Sequence, residues 1–226
     1  MDDGIIIKAI SELNEDKVIK LVNIYLSNGI NANDIIKALQ NGMENIGLLY
    51  EKKEYFITDL MMAGIIFKEV LEIKGMKDAI NNNNQNKYIG RLVIGTVKGD
   101  LHDIGKDIFI GFAKASGFEI FDLGVDVSPE VFCLKVEELK PDILALCGVL
   151  TLAMDYMKQT IDALISNDLR ENLKIIVGGN MIDKNSHKYI DADAYTNNAN
   201  YGIQICKDWV INPRRKGRNK WENQFI

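Results

Sequence analysis

The sequence predicts an α/β protein in two parts: a helical bundle, then an open five-stranded parallel sheet covered by helices. Three observations predict it. Residues 1 to about 80 carry apolar side chains at helical steps and almost no strand signal. Asn81-Asn82-Asn83-Asn84-Gln85-Asn86 is a polar, low-complexity stretch of the kind that links two units. From residue 89, short apolar runs of strand length alternate with amphipathic segments of helix length, the pattern of βαβ units. The expected boundaries are 1–86 for the bundle and its linker, 87–212 for the α/β unit and 213–226 for a basic tail.

In the bundle, Asn14 can cap a helix whose apolar stripe is Val18, Leu21, Val22 and Tyr25 and which Gly29 ends. Asn33 can cap the next, where Ile35, Ile36, Leu39, Met43, Ile46 and Leu49 recur at steps of three and four. Turns this short predict antiparallel packing. The helix expected over 58–73 has one stripe of Leu60, Ala63, Phe67 and Leu71 and a second apolar face of Met61, Met62, Ile65 and Ile66. Either it runs through the centre of the bundle, or its second face covers a ligand held by the other unit.

In the α/β unit, strands are expected at 92–96, 119–123, 143–147, 174–177 and 192–196, and helices at 103–116, 128–139, 154–165 and 201–210. The helix at 128 opens on Ser128-Pro129-Glu130, a cap followed by proline at the first helical position. Five such strands fit the flavodoxin-like (Rossmann-like) order 2-1-3-4-5, whose ligand site lies where the order reverses, beside the loops at 97–105 and 147–153. The tail carries Arg214, Arg215, Lys216, Arg218 and Lys220, and reads as a surface end or a patch for an acidic partner.

The net charge of −5 argues against nucleic acid as a partner, and no apolar run is long enough to span a membrane. Three separated cysteines, Cys133, Cys147 and Cys206, form no CxxC pair and no disulfide framework. With no basic n-region at the start, the expected setting is a reducing cytoplasm.

The chemistry concentrates in Gly95-Thr96-Val97-Lys98-Gly99-Asp100-Leu101-His102-Asp103-Ile104-Gly105, which holds one of the two histidines of the chain. Asp100 can hydrogen-bond one imidazole nitrogen of His102 and leave the other as an electron-pair donor, a common way to orient a metal-binding histidine. The same residues also permit a helix-capping Asp103 beside an incidental surface histidine. The glycine spacing is wrong for a dinucleotide fingerprint, and Gly105-Lys106-Asp107 fails the P-loop pattern. A zinc site from Asp100, His102 and Asp103 lacks an evident further ligand.

Asp100-Leu101-His102-Asp103-Ile104-Gly105 matches the DxHxxG motif, and with it the sequence resembles the corrinoid (cobalamin-binding) proteins of methyltransferase systems. The likeness extends to Phe121-Asp122-Leu123-Gly124-Val125-Asp126-Val127-Ser128-Pro129-Glu130, to Gly178-Gly179, and in the bundle to Met43-Glu44-Asn45-Ile46-Gly47 and Tyr55-Phe56 followed by 60–63. It implies a four-helix cap on a cobalamin-binding domain. It also implies a base-off corrinoid with His102 as lower axial ligand to cobalt, and Asp100 stabilising the imidazole when it leaves the metal. Gly99, Asp103, Gly105, Cys147, Val149, Thr151, Gly178 and Gly179 would contact the cofactor, the glycines allowing backbone close to its nucleotide tail. Met61, Met62 and Ile65 would cover its upper face.

The family's function would be to accept a methyl group on Co(I) from a substrate-specific methyltransferase and to donate it from methyl-Co(III) to an acceptor methyltransferase serving tetrahydrofolate or a thiol. A reductive activase would be a further partner. Two departures stand out: Cys147 and Val149 replace the family's Ser-x-Leu, leaving Thr151 as an alternative hydroxyl for the relay, and Asn180 follows the glycine pair. A cobalamin-dependent isomerase subunit shares DxHxxG but lacks the helical part. A cobalamin-sensing regulator would need a DNA-binding module.

Overall fold

The computed structural model describes residues 3–77 and 88–212. The Asn-rich stretch at 81–86 and the basic tail from 213 lie outside the described residues. The helical part contains α1 (Asp3–Ser11), α2 (Glu15–Ser27), α3 (Ala32–Glu51) and α4 (Ile57–Glu72). Asn14 caps α2 by accepting from the Lys17 amide. The cap of α3 is Asn31 and not the expected Asn33, because the Asn31 side chain accepts from the Asn33 amide. That start turns Ile35, Leu39, Met43 and Ile46 inward, where all are fully buried. α1 was not expected: its Ile5-Ile6-Ile7 run is β-branched, but Ile6, Ala9 and Ile10 pack into the bundle core.

The α/β part follows as β1 (Gly90–Thr96), α5 (Ile104–Ala115), β2 (Phe118–Asp122), α6 (Pro129–Leu139), β3 (Ile143–Cys147), α7 (Thr151–Ser166), β4 (Lys174–Gly178), α8 (Lys184–Ile190), β5 (Ala194–Thr196) and α9 (Ala199–Ile211). The sheet is parallel in the expected order, β2-β1-β3-β4-β5. Burial on both faces explains the near-continuous apolar strands. On one face, Leu92, Ile94, Ile143 and Ile176 pack against α5 and α9, and that core runs on into α1–α4. On the other, Val93, Leu144, Leu146 and Val177 pack against α6, α7 and α8. Among the described residues, no helix is long and apolar enough to cross a membrane.

Pairing registers align Thr96, Cys147, Gly178 and Thr196 in one row across the carboxyl ends of β1, β3, β4 and β5. The loops that leave this row form the candidate site.

Candidate functional site

The loop after β1 is anchored before it reaches its histidine. Gly99 has φ +79°, a left-handed conformation that side chains disfavour, and its amide donates to Asp126 Oδ1 at 2.8 Å. Asp126 returns the tie, its own amide donating to the Asp100 carbonyl at 3.1 Å. Thr96 Oγ1 holds the far side through the His102 carbonyl at 2.9 Å.

Asp100 is 1% exposed, and the hydrogen bonds to its carboxylate come from this loop and the β3–α7 loop. Oδ1 accepts from the His102 amide at 3.0 Å and lies 2.6 Å from His102 Nδ1. Oδ2 accepts from the amides of Val149 at 2.6 Å and Leu150 at 2.9 Å. Burial by itself would raise the Asp100 carboxyl, but the hydrogen bonds from Leu150, His102 and Val149 outweigh it and bring it down to about 2. The group is therefore a carboxylate at neutral pH. A carboxylate only accepts, so the proton of the neutral imidazole sits on Nδ1 and the lone pair on Nε2. The imidazole side chain is 55% exposed, which leaves it open to the loop edge.

The other expected residues fall into distinct positions. Cys147 stands partly buried at the end of β3, where burial pushes its thiol up to about 12, so it remains protonated. Neither Cys147 nor Thr151 bonds to Asp100; the amides of Val149 and Leu150 take the place expected for a side-chain relay. Gly105 is exposed, and a Cβ there would meet no atom within 4 Å. Gly178 lies in the row between Cys147 and Thr196. Gly179 has φ +153°, and a Cβ there would stand 1.7 Å from the Gly148 carbonyl oxygen. Its lack of a side chain lets the β4–α8 loop sit directly on the loop that supplies Val149 and Leu150. That contact is with protein backbone and is a reason for this glycine in addition to the expected one.

Asp103 takes the N-cap position of α5, but its side chain makes no cap hydrogen bond. It lines a cleft of about 480 Å³ between α4 and α5 together with Met61, Ile65, Ile104, Asp107 and Asp122. Met62 is 41% exposed on α4 and does not line the cleft.

Lys106, which follows Gly105 directly, has a role that the sequence alone does not show. It is 4% exposed and bridges Asp107 Oδ1 at 2.7 Å and Asp122 Oδ2 at 2.8 Å. This fixes the start of α5 to the end of β2. Burial would lower its ammonium, but the two carboxylates outweigh that and raise it.

Chemically, the loop offers one oriented nitrogen lone pair next to open space. Among the described residues, no three His, Cys, Asp or Glu side chains converge to hold a bare ion, so the zinc alternative has no ligand set. A single imidazole donor suits a metal whose remaining ligands arrive with it in a macrocycle.

The comparisons agree with that chemistry. A B12 binding domain profile matches residues 90–200, and a second profile of the same description matches 6–74. Dimethylamine corrinoid protein 1 of Methanosarcina acetivorans is 33% identical over 174 residues, which cover 77% of this chain and 81% of that protein. A cobalamin-binding protein from Desulfitobacterium hafniense DCB-2, known from a crystal structure, superposes with a TM-score of 0.79 at 40% identity, covering 92% of this chain and 98% of that one. The methanol:cobalamin methyltransferase complex MtaBC from Methanosarcina barkeri contains a chain that superposes with a TM-score of 0.76 at 27% identity, covering 92% of this chain and 79% of its own. With both parts of the chain matched and the loop motif in place, the chain belongs to the B12-binding corrinoid protein family.

Proposed function

We propose that this chain is a methyl carrier that holds a corrinoid through His102 and presents it in turn to two enzymes. One is a substrate-specific methyltransferase that loads the methyl group. The other is an acceptor methyltransferase that passes it to tetrahydrofolate or a thiol, with a reductive activase rescuing oxidised carrier. Relatives named as methylamine corrinoid proteins and the likeness to a chain of a methyltransferase complex support this reading. Free thiols at Cys133, Cys147 and Cys206 suit a reducing cytoplasm, where such enzymes would meet it.

When bound, the corrinoid supplies a cobalt that takes up a methyl group in its most reduced state and yields it to the next acceptor. The residues of the chain hold and orient it. Nε2 of His102 would ligate the cobalt in place of the cofactor's own base. Asp100 keeps the proton on Nδ1 and offsets the charge of the imidazolium when the ring is released. Gly105 and Gly178 leave room for the tail beside the sheet, Cys147, Val149 and Thr151 line its entry, and Gly99 and Gly179 fix the loops. Met61, Met62 and Ile65 of α4 limit the access of water to the upper face.

The observation that carries this reading is the 2.6 Å contact between the buried Asp100 carboxylate and His102 Nδ1, with Nε2 left bare. The test is electron paramagnetic resonance of the Co(II) form. In His102→Ala, some corrinoid stays bound but the axial nitrogen coupling disappears. Persistence of that coupling would remove His102 from the role.

A further inference from the structure

The turn between β2 and α6 grips the His102 loop on both sides of the histidine. Before it, Asp126 Oδ1 accepts from the Gly99 amide at 2.8 Å, and the Asp126 amide donates to the Asp100 carbonyl at 3.1 Å. After it, Lys106 Nζ donates to Asp122 Oδ2 at 2.8 Å. The turn is itself fixed to β1 through the backbone. The amides of Leu123 and Val127 donate to the carbonyls of Ile94 and Thr96 at 2.8 and 3.0 Å, and the Thr96 amide donates to the Gly124 carbonyl at 3.0 Å. Asp122 Oδ1 accepts from the Gly124 amide at 2.9 Å, so one carboxylate serves both the turn and Lys106.

Both grips carry a local cost. Asp126 has φ +56°, in the left-handed region that a residue with a Cβ disfavours, although aspartate tolerates it better than most. Lys106 is the third residue of α5, where the positive end of the helix dipole repels a cation, and it is 4% exposed. An apolar side chain of similar length would pack there with no charge to compensate. Two locally unfavourable choices thus stand at the two ends of one loop, and both are directed at the same turn. Positioning calls for such an arrangement; stability alone does not.

We infer that the turn over 122–127 is a two-ended brace for the His102 loop, with Asp126 and Lys106 as positioning residues that act on the imidazole through the backbone of 99–106. Between the grips the ring is held by Asp100 alone, through the 2.6 Å contact at Nδ1. With either end released, the Asp100 carboxylate keeps its bonds to the Val149 and Leu150 amides, but the backbone on the histidine side drifts. Nδ1 of the half-exposed ring then leaves the carboxylate for water part of the time. The inference deepens the carrier reading, since Nε2 of this ring is the atom proposed for cobalt. Its test uses the cofactor-free chain, so the brace and the carrier reading can each fail without the other.

Two variants of the full chain release one end each. Lys106→Met removes the cation and keeps the length; Asp107 and Asp122 are 63% and 41% exposed, so water takes over their charge. Asp126→Gly removes the accepting oxygen, and glycine is at ease at +56°. In both, the Gly99 and His102 amides exchange roughly fivefold faster, the weight of a polar tie that is partly open to water. Amides in β3 and β4 keep wild-type protection, and the urea midpoint does not fall. In ¹⁵N spectra of the histidine ring, wild type shows the Nδ1–H tautomer and both variants gain a population of Nε2–H. Asp126→Asn, which keeps an accepting Oδ1 and tolerates the left-handed backbone, restores the wild-type ring spectrum. Lys106→Met and Asp122→Asn remove the same bond, so the double variant loosens the loop no more than Lys106→Met alone. The inference is overturned by an unchanged tautomer in both single-end variants, by protection lost equally in β1, β3 and β4, by Asp126→Asn behaving as Asp126→Gly does, or by additive effects of Lys106→Met and Asp122→Asn.

Discussion

Asp100→Asn separates the two jobs of the buried carboxylate. The wild-type group offers two accepting oxygens to three backbone amides and one imidazole N–H. An amide offers one. If its NH₂ faced Val149 and Leu150, two buried donors would meet a third. The less costly orientation turns NH₂ toward His102, where one backbone N–H loses its acceptor and Nδ1 must become an acceptor itself. One orphaned buried donor costs about 1–3 kcal/mol. The carboxyl gives an independent figure: a fall from 3.8 to about 2 corresponds to about 2.4 kcal/mol of preference for the charged form. Both estimates place the loss near 2–3 kcal/mol, or roughly 5–10 °C in Tm for a chain of this size.

The pH dependence has a definite sign. A depressed folded-state value gives stability that is fully present above the unfolded value near 4 and is lost as pH falls through about 2. Urea unfolding should therefore show the wild-type advantage at pH 7 shrinking below pH 4, as far as the protein stays folded. ¹⁵N chemical shifts of the histidine ring should show the proton moving from Nδ1 to Nε2 in the variant, which removes the lone pair proposed for cobalt. A stability loss under about 0.5 kcal/mol, a difference that does not change with pH, or an unaltered tautomer would refute this account of Asp100.

Gly179→Ala should destabilise the chain by more than about 2 kcal/mol, since its Cβ would fall 1.7 Å from the Gly148 carbonyl oxygen. Urea unfolding and altered amide resonances of Val149 and Leu150 would report it, and a wild-type midpoint would count against the interlock. Met61→Gln with Ile65→Gln, both on exposed parts of α4, should leave folding nearly unchanged but accelerate oxidation of the Co(I) form, followed by visible absorbance. An unchanged oxidation rate would remove these side chains from the role of cover.

The legible parts of this molecule are those whose causes are local. β1, β3 and β4 are short, mostly apolar runs of strand length, so their positions and the order of the sheet follow from the alternation with helices. α8 escaped notice because its seven residues show no apolar period; the Asp183 cap and the buried Ile190 hold it in place. The His102 loop was readable for the same reason as the strands: carboxylate, histidine and glycine lie within six consecutive residues. Lys106 with Asp122, Gly47 with Asn200 and Gly148 with Gly179 are pairs separated by a strand or more, and only the folded registers bring them together.

Cys147 shows why such distance matters for chemistry. In sequence, the thiol at the serine position reads as a broken relay from the Asp100–His102 pair. In the fold, the second oxygen of Asp100 is held by the amides of Val149 and Leu150. Backbone N–H groups survive any substitution except proline, so this half of the carboxylate's environment does not depend on which side chain ends β3. What a hydroxyl there would add is a donor in the row between Thr96 and Gly178. A thiol at about 12 donates only weakly in its place. With a thiol at Cys147, the hold on the second oxygen of Asp100 is left to the backbone amides of Val149 and Leu150.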